Sequence, residues 1–120
     1  MRILVCGGRD FNDREAVALA LKSYKPVPLA TGVSDAIIIV GGAPGADTLA
    51  EEWADCFGVR KRVFLANWQK HGKAAGPIRN QQMIDEGKPD LVIAFPGGRG
   101  TTDMVRRAKA AGIEVKEIRA

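Results

Sequence analysis

Apolar residues recur along the chain in short runs that alternate with segments of helical periodicity. The runs lie at residues 2–6, 36–40, 59–65, 90–95 and 114–118. Short runs that contain aliphatic and β-branched residues predict β-strands. Residues 59–65 are more polar than the other runs, which favours a position nearer the edge of the sheet.

The segments between the strands predict four helices, at residues 12–23, 47–58, 77–87 and 101–111. Asn12 and Glu15 have the spacing of a capping box at the start of the first helix. Pro77 is a favoured first residue of a helix, and Thr101 is suited to the N-cap of the last one. The remaining long stretches are polar or rich in Pro and Gly and predict loops, at residues 25–35 and 66–76.

Strands and helices alternate along a chain of 120 residues, which is the length of one domain. Right-handed crossovers place each connecting helix on a face of a parallel sheet. The pattern therefore predicts an α/β fold, a Rossmann-like three-layer αβα sandwich with a five-stranded parallel sheet of order 3-2-1-4-5. We expect residues 1–120 to form a single nucleotide-binding domain of this type.

Composition narrows the classes of function. The net charge of +4 is spread along the chain, which is compatible with a phosphate-bearing ligand and lacks the basic stripe of nucleic-acid-binding proteins. His71 is the single histidine and has no Cys or His at ligand spacing, so no metal is expected. Cys6 and Cys56 are expected to be reduced thiols in the core. Without a signal-peptide pattern or a long apolar run, we expect a cytoplasmic protein with no membrane contact.

Glycine, present at 14 positions, follows three of the predicted strands directly. The glycine-rich loops lie at residues 7–10, 41–47 and 96–101. In the expected strand order they leave the carboxyl ends of neighbouring strands and converge on one crevice. Backbone N–H groups and helix N-termini in such a crevice favour an anion, which predicts a phosphate or nucleotide site. The residues of this predicted site are Gly7, Gly8, Arg9, Asp10, Gly41, Gly42, Gly45, Asp47, Arg79, Pro96, Gly97, Gly98, Arg99, Gly100 and Thr101.

Some side chains near the crevice have more than one interpretation. Arg79, in the first turn of the third predicted helix, either reaches the crevice and pairs with a phosphate through two hydrogen bonds or is a solvated arginine on the helix surface. Asp10 and Asp47 could bind a ribose, cap the following turn or supply a carboxylate. Trp68 could stack on a base or fill the core. The long polar loop is either a lid or a solvated connection, and its polar residues include Lys70, His71 and Lys73.

Residues 96–101, Pro-Gly-Gly-Arg-Gly-Thr, resemble the P-G-G-x-G-T-x-x-E signature of the LONELY GUY-type nucleotide phosphoribohydrolases. Those enzymes belong to the SLOG superfamily of Rossmann-like nucleotide-binding domains, which includes DNA-processing protein A. Residues 3–11, 41–47 and 76–83 are similar to the YspA/YpsA-related branch of that superfamily, and the resemblance covers nearly the whole chain. It implies a nucleotide as the small-molecule partner and a homodimer, because superfamily relatives often dimerise.

In the phosphoribohydrolases an arginine and the glutamate that closes the signature form the catalytic pair. Arg79 and Met83 match the arginine motif, in which Asn80 replaces a lysine. Met104 stands at the glutamate position, and methionine can neither take up a proton nor stabilise an oxocarbenium ion by charge, so the resemblance does not transfer the activity. Asp103, one residue earlier and about 100° away around the helix, is then either the candidate catalytic carboxylate beside Arg79 or a first-turn residue that interacts with the helix dipole.

The leading hypothesis is binding of a nucleotide or a nucleotide-derived, ADP-ribose-like ligand, with no cofactor required. Residues 97–101 and Arg79 would hold phosphate, and residues 7–10 and 41–47 would enclose ribose and base. The alternative is hydrolysis of an N-glycosidic bond in a nucleotide. Single-stranded nucleic-acid binding, by analogy with DNA-processing protein A, is disfavoured because aromatic residues are few.

Overall fold

The computed structural model describes residues 1–24 and 36–119, which form a parallel sheet of order β3-β2-β1-β4-β5. The strands are β1 (Arg2–Cys6), β2 (Ile37–Val40), β3 (Arg60–Val63), β4 (Leu91–Ala94) and β5 (Glu114–Glu117). The helices are α1 (Arg14–Leu21), α2 (Ala46–Phe57), α3 (Trp68–His71), α4 (Ala75–Asp85) and α5 (Arg99–Ala110). Short 3-10 turns follow α1 and α3, at Lys22–Tyr24 and Gly72–Ala74. The predicted fold class and strand order are confirmed.

Alternation of side chains along the central strands divides the core between the two faces of the sheet. Ile3 and Val5 of β1 pack with α1 and α2 on one face, while Leu4 and Cys6 pack with α4 and α5 on the other. β4 is buried throughout, whereas every residue of β3 is exposed, which confirms the predicted edge position of β3. Cys56 on α2 is exposed, so the prediction that both thiols lie in the core is wrong for Cys56.

The starts of α1 and α5 differ from the prediction. Asp13 caps α1, with its side chain accepting a hydrogen bond from the Ala16 N–H at 3.1 Å, so the capping box predicted one residue earlier is wrong. α5 begins at Arg99 with Gly98 at its N-cap, and Thr101 lies inside the first turn instead of capping it. Asp and Gly are both accepted at N-caps, and the path of the chain leaving the strand decides which residue takes that position.

The predicted loop at residues 66–76 is largely helical. The Asn67 side chain caps α3 by accepting a hydrogen bond from the Lys70 N–H at 3.0 Å. α4 begins at Ala75, so Pro77 is its third residue and not its first. The segment therefore forms an ordered wall beside the carboxyl end of β3. The loop predicted at residues 25–35 lies outside the described residues.

Candidate functional site

A cavity of about 860 Å³ opens at the carboxyl ends of the strands, where the loops after β1, β2, β3 and β4 meet α4. Most of the predicted site residues line it, together with the candidate carboxylate: Gly7, Gly8, Arg9, Gly41, Gly42, Asp47, Arg79, Gly98, Arg99, Gly100, Thr101 and Asp103. The other predicted residues lie in the same loops but outside the lining: Asp10, Gly45, Pro96 and Gly97. The convergence of the loops places these sequence motifs around one cavity.

Several glycines allow the loops to pack directly against one another. The Gly8 N–H donates to the Pro96 carbonyl at 2.8 Å, and the Ala46 N–H donates to the Gly8 carbonyl at 3.3 Å. A Cβ at Gly7 would lie only 2.6 Å from the Ala46 Cβ. Gly45 has φ +83°, and a Cβ there would collide with backbone carbonyls of the loop after β1. These contacts join the loops after β1, β2 and β4 into one hydrogen-bonded unit.

The N-terminus of α5 lies in the cavity wall. Gly98 at its N-cap and Gly100 in its first turn both have open space where a Cβ would lie. The first N–H groups of any α-helix lack an intrahelical acceptor. Because no side chain among the described residues caps this 12-residue helix, these N–H groups are free for a ligand. The partial positive charge of a helix N-terminus stabilises an anion at this position.

Arg79 extends from α4 over the end of β2. Its Nη1 donates to the Gly41 carbonyl at 2.6 Å, and its Nε donates to Asn80 Oδ1 at 3.1 Å. Gly41 makes this approach possible, because a Cβ there would collide with the guanidinium. Burial lowers the pKa of Arg79, the Asp47 carboxylate opposes that effect, and the nearby charge of Arg9 lowers the pKa further. Neither hydrogen bond uses Nη2, which can therefore take an anion.

Asn80 is absent from the predicted site, yet it connects Arg79 to α5. It is 5% exposed, and its Nδ2 donates to the Gly100 carbonyl at 3.2 Å and to Asp103 Oδ2 at 3.0 Å. A signal for this residue is present in the sequence. Asn80 precedes the core residue Met83 by one helical turn, so it falls on the buried face of α4, where a polar side chain needs partners.

Asp103 lines the cavity as a tightly paired carboxylate. It forms ion pairs with Arg106 at 2.6 Å and with Arg107 at 2.8 Å. Partial burial favours the protonated form, but hydrogen bonds from Arg107 and Asn80 outweigh it and hold the pKa of Asp103 below its usual range. Met104, at the position of the signature glutamate, is 1% exposed and packs in the core.

Asp47 is a buried carboxylate at the start of α2. Its Oδ2 accepts hydrogen bonds from the Gly41 N–H at 3.0 Å and the Ala43 N–H at 3.2 Å. Burial raises the pKa of Asp47 to about 6, although both hydrogen bonds and the charge of Arg79 oppose the rise. Both hydrogen bonds come from the loop that precedes Asp47, so they differ from the predicted capping of the following turn.

Within the described lining, cationic side chains outnumber carboxylates. The cationic residues are Arg9, Lys73, Arg79 and Arg99, and the carboxylates are Asp47 and Asp103. Asp103 is ionised and forms ion pairs with two arginines of its own helix. Guanidinium groups that face one cavity repel each other unless an anion lies between them, so the electrostatics of the site favour an anionic ligand.

The part of the cavity wall after β3 is apolar. Leu65, Ala66, Trp68 and Pro77 line it, and Trp68 is 55% exposed. This exposure is incompatible with the interpretation that Trp68 fills the core. Lys73 of the segment interpreted as either a lid or a solvated connection also lines the cavity, whereas Lys70 and His71 lie outside the lining.

Cys6 lines the cavity floor, but its thiol is unsuited to nucleophilic chemistry. Burial raises the pKa of Cys6 to about 12, with smaller contributions from Asp47 and Glu117, so the thiol stays protonated near neutral pH. Within residues 1–24 and 36–119, no group of His, Cys, Asp and Glu side chains has an arrangement that could hold a metal ion. No helix in those same residues has the length and apolar character needed to cross a membrane.

The fold and the site define a Rossmann-like α/β protein with a cationic, glycine-lined cavity at the carboxyl ends of its strands. Residues 1–71 match the YspA, cpYpsA-related SLOG family. Over 124 aligned residues the chain is 39% identical to the Gene 61 protein of Mycobacterium phage D29, covering 95% of this chain and 93% of the phage protein. The chain belongs to the YspA, cpYpsA-related SLOG family, which confirms the resemblance in its sequence motifs.

Solved structures with a similar backbone include UDP-N-acetylglucosamine 2-epimerases. One of them aligns with TM-score 0.55 and 18% identity over 98% of this chain. The enzyme from Neisseria meningitidis bound to UDP-GlcNAc aligns with TM-score 0.57 and 18% identity over the same share. The chain spans about a third of the length of these epimerases, 33% and 32% respectively. At this level of identity the similarity shows the Rossmann-like fold alone.

Proposed function

We propose that this protein binds a nucleotide or a nucleotide-derived, ADP-ribose-like ligand in the cavity at the carboxyl ends of its strands. The observation that carries the proposal is the uncapped N-terminus of α5 beside the guanidinium of Arg79 in one cavity. Helix N-termini and arginine are the groups that proteins use to hold phosphate. The SLOG family membership and the Rossmann-like fold are consistent with this function.

The parts of the site have distinct roles in this proposal. The first N–H groups of α5, at Arg99, Gly100 and Thr101, hold the phosphate oxygens, and Arg79 supplies its free Nη2. The loops after β1 and β2 enclose the ribose. A cavity of about 860 Å³ is larger than inorganic phosphate needs and lies in the range of sites for small organic ligands.

Calorimetric titration with ADP-ribose tests the proposal through two substitutions at one position. Gly98→Asp places a carboxylate at the phosphate position, and Gly98→Asn places a neutral side chain of the same shape there. Both residues are good N-caps and Gly98 has open space, so both variants should fold. We expect ADP-ribose binding by the wild type, and affinity lower in Gly98→Asp than in Gly98→Asn by about 10-fold or more. Equal affinity in the two variants, or no binding of ADP-ribose, NAD or AMP to the wild type, would contradict the proposal.

A second candidate function is hydrolysis of an N-glycosidic bond in the bound nucleotide. The observation that favours it is Asp103, a carboxylate in the cavity lining whose pKa is held below its usual range, because an ionised carboxylate can stabilise an oxocarbenium ion. Release of free base from nucleoside monophosphates and NAD, followed by chromatography, tests this activity. Asp103→Asn should abolish base release, while the control Asp85→Asn on the outer side of α4 should leave it unchanged. Absence of turnover in the wild type would leave binding alone.

A further inference from the structure

The cavity contains an apolar surface that anion binding does not explain. We call Leu65, Ala66, Trp68 and Pro77 the apolar shelf. Leu65 is 73% exposed and Trp68 is 55% exposed, and both line the same wall of the cavity. Single exposed apolar side chains are common, but large ones gathered at the wall of a concave site mark a surface that a ligand covers.

Two glycines lie beneath the large side chains of the apolar shelf. The side chain of Leu65, together with Val63, lies over Gly42 so closely that a Cβ there would collide with it. The Trp68 ring lies over Gly76, with its Cη2 atom 3.6 Å from the position a Cβ would take. Gly42 therefore leaves room for Leu65, and Gly76 lies under the Trp68 ring, so both large side chains rest against the cavity wall.

The position of the shelf in the sheet sets the shape of a matching ligand. The shelf follows β3, and the N-terminus of α5 follows β4, with β2 and β1 between them. Neighbouring strands lie about 4.8 Å apart, so the ends of β3 and β4, from which the two features extend, are roughly 14 Å apart across the sheet. A ligand that contacts both has an anionic group at one end and a flat apolar group at the other.

Polar groups in the middle of the cavity favour a nucleotide over a ligand with an acyl chain. Arg79 and the backbone around Gly41 lie between the shelf and α5. An acyl chain laid across them would leave these polar groups without partners, which is unfavourable. A ribose and phosphate chain supplies oxygens to them, and a heterocyclic base at its end presents a planar face to the Trp68 indole.

We propose that the apolar shelf is the base subsite of this protein, where the ring of the bound nucleotide stacks on Trp68. This inference rests on the proposed function and names the part of the ligand that the shelf recognises. Stacking of a base on an aromatic side chain contributes about 1–3 kcal/mol, which corresponds to roughly 5-fold to 150-fold in affinity.

Fluorescence and calorimetric titrations with ADP-ribose and with ribose 5-phosphate, which lacks the base, test the subsite. Trp53 is 6% exposed and lies in the core, so a ligand that binds in the cavity should change mainly the fluorescence of Trp68. We expect ADP-ribose to quench the tryptophan fluorescence of the wild type saturably and to leave that of Trp68→Phe unquenched. Because Trp68→Phe keeps an aromatic face, its affinity for ADP-ribose should stay within a few-fold of the wild-type affinity. Trp68→Ala should weaken ADP-ribose by about 5-fold to 150-fold and leave ribose 5-phosphate unchanged. Leu19→Ala, at an exposed apolar residue outside the cavity, is the matched control.

The outcomes separate the subsite from the function on which it rests. Equal affinity of the wild type and Trp68→Ala for ADP-ribose, with Gly98→Asp still impaired, would overturn the base subsite and leave the proposed function standing. Equal weakening of ADP-ribose and ribose 5-phosphate by Trp68→Ala would also overturn it, because the change would then act through the structure. If neither compound binds to the wild type, both proposals fail.

Discussion

Asp47 is a residue whose charge is disfavoured by its position. It lies against the backbone of the loop after β2, and burial raises its pKa to about 6. An aspartate in an unfolded chain has a pKa of about 3.9, so folding favours the protonated form. The stability linked to this group is therefore fully present below about pH 4 and is lost as the pH rises through about 6.

Asp47→Asn should remove this dependence on pH. Its Oδ1 can accept both backbone hydrogen bonds while the side chain carries no charge. We expect the free energy of unfolding of the variant, relative to the wild type, to increase between pH 4 and pH 8 by up to roughly 3 kcal/mol. Urea unfolding across this pH range measures the effect, with Asp10→Asn at an exposed carboxylate as the matched control. If the difference in the free energy of unfolding between Asp47→Asn and the wild type stays constant with pH, burial does not raise the pKa of Asp47.

Asn80 illustrates how one neutral side chain connects separate parts of the site. Asn80→Asp would place a second carboxylate against Asp103 and the Gly100 carbonyl, where Nδ2 now donates. We expect the free energy of unfolding at pH 8 to fall by roughly 2–4 kcal/mol, and by less in an Asp103→Asn background. Urea unfolding of the double-mutant cycle measures the coupling, and strictly additive losses would show that the two residues do not interact.

Among the elements of the fold, the loops after β1, β2 and β4 illustrate what sequence can and cannot predict. The apolar runs predict the strands, and their carboxyl ends predict where Gly7, Gly41 and Gly98 converge. The sequence does not predict the separate roles of these glycines, because those roles depend on contacts between loops that are distant in sequence. Gly45 supports a neighbouring loop, whereas Gly98 faces open space. The helix at residues 68–71, capped by Asn67, lies inside a segment whose composition predicts a loop.

Gly45 and Gly58 provide a matched comparison for the packing of these loops. Both have positive φ, +83° and +67°, but only Gly45 lies against backbone carbonyls of the loop after β1. Gly58→Ala should lower the free energy of unfolding by about 1 kcal/mol, the typical cost of that backbone conformation. Gly45→Ala should lower it by roughly 3 kcal/mol or more, because the collision adds to this cost. Similar losses in urea unfolding would show that the loops are not closely packed.

At the scale of the whole molecule, the strand order determines the chemistry of the cavity. Because β1 and β2 separate β3 from β4, the apolar wall and the N-terminus of α5 lie on opposite sides of one opening. The alternation of strands and helices predicts this order and the edge position of β3. The sequence contains no equally direct signal for the apolar wall, because Leu65 and Trp68 belong to a segment whose composition predicts a polar loop.

An amide proton–nitrogen NMR titration of the wild-type chain with ADP-ribose tests whether the N-terminus of α5 binds the nucleotide. We expect saturable shifts of the backbone amides of Arg99, Gly100 and Thr101, since these N–H groups would donate to the phosphate. The amides of α1, on the opposite face of the sheet from α5, should not move. Saturable shifts elsewhere with none at the start of α5, or no shifts at all, would contradict the claim that this helix N-terminus holds the nucleotide.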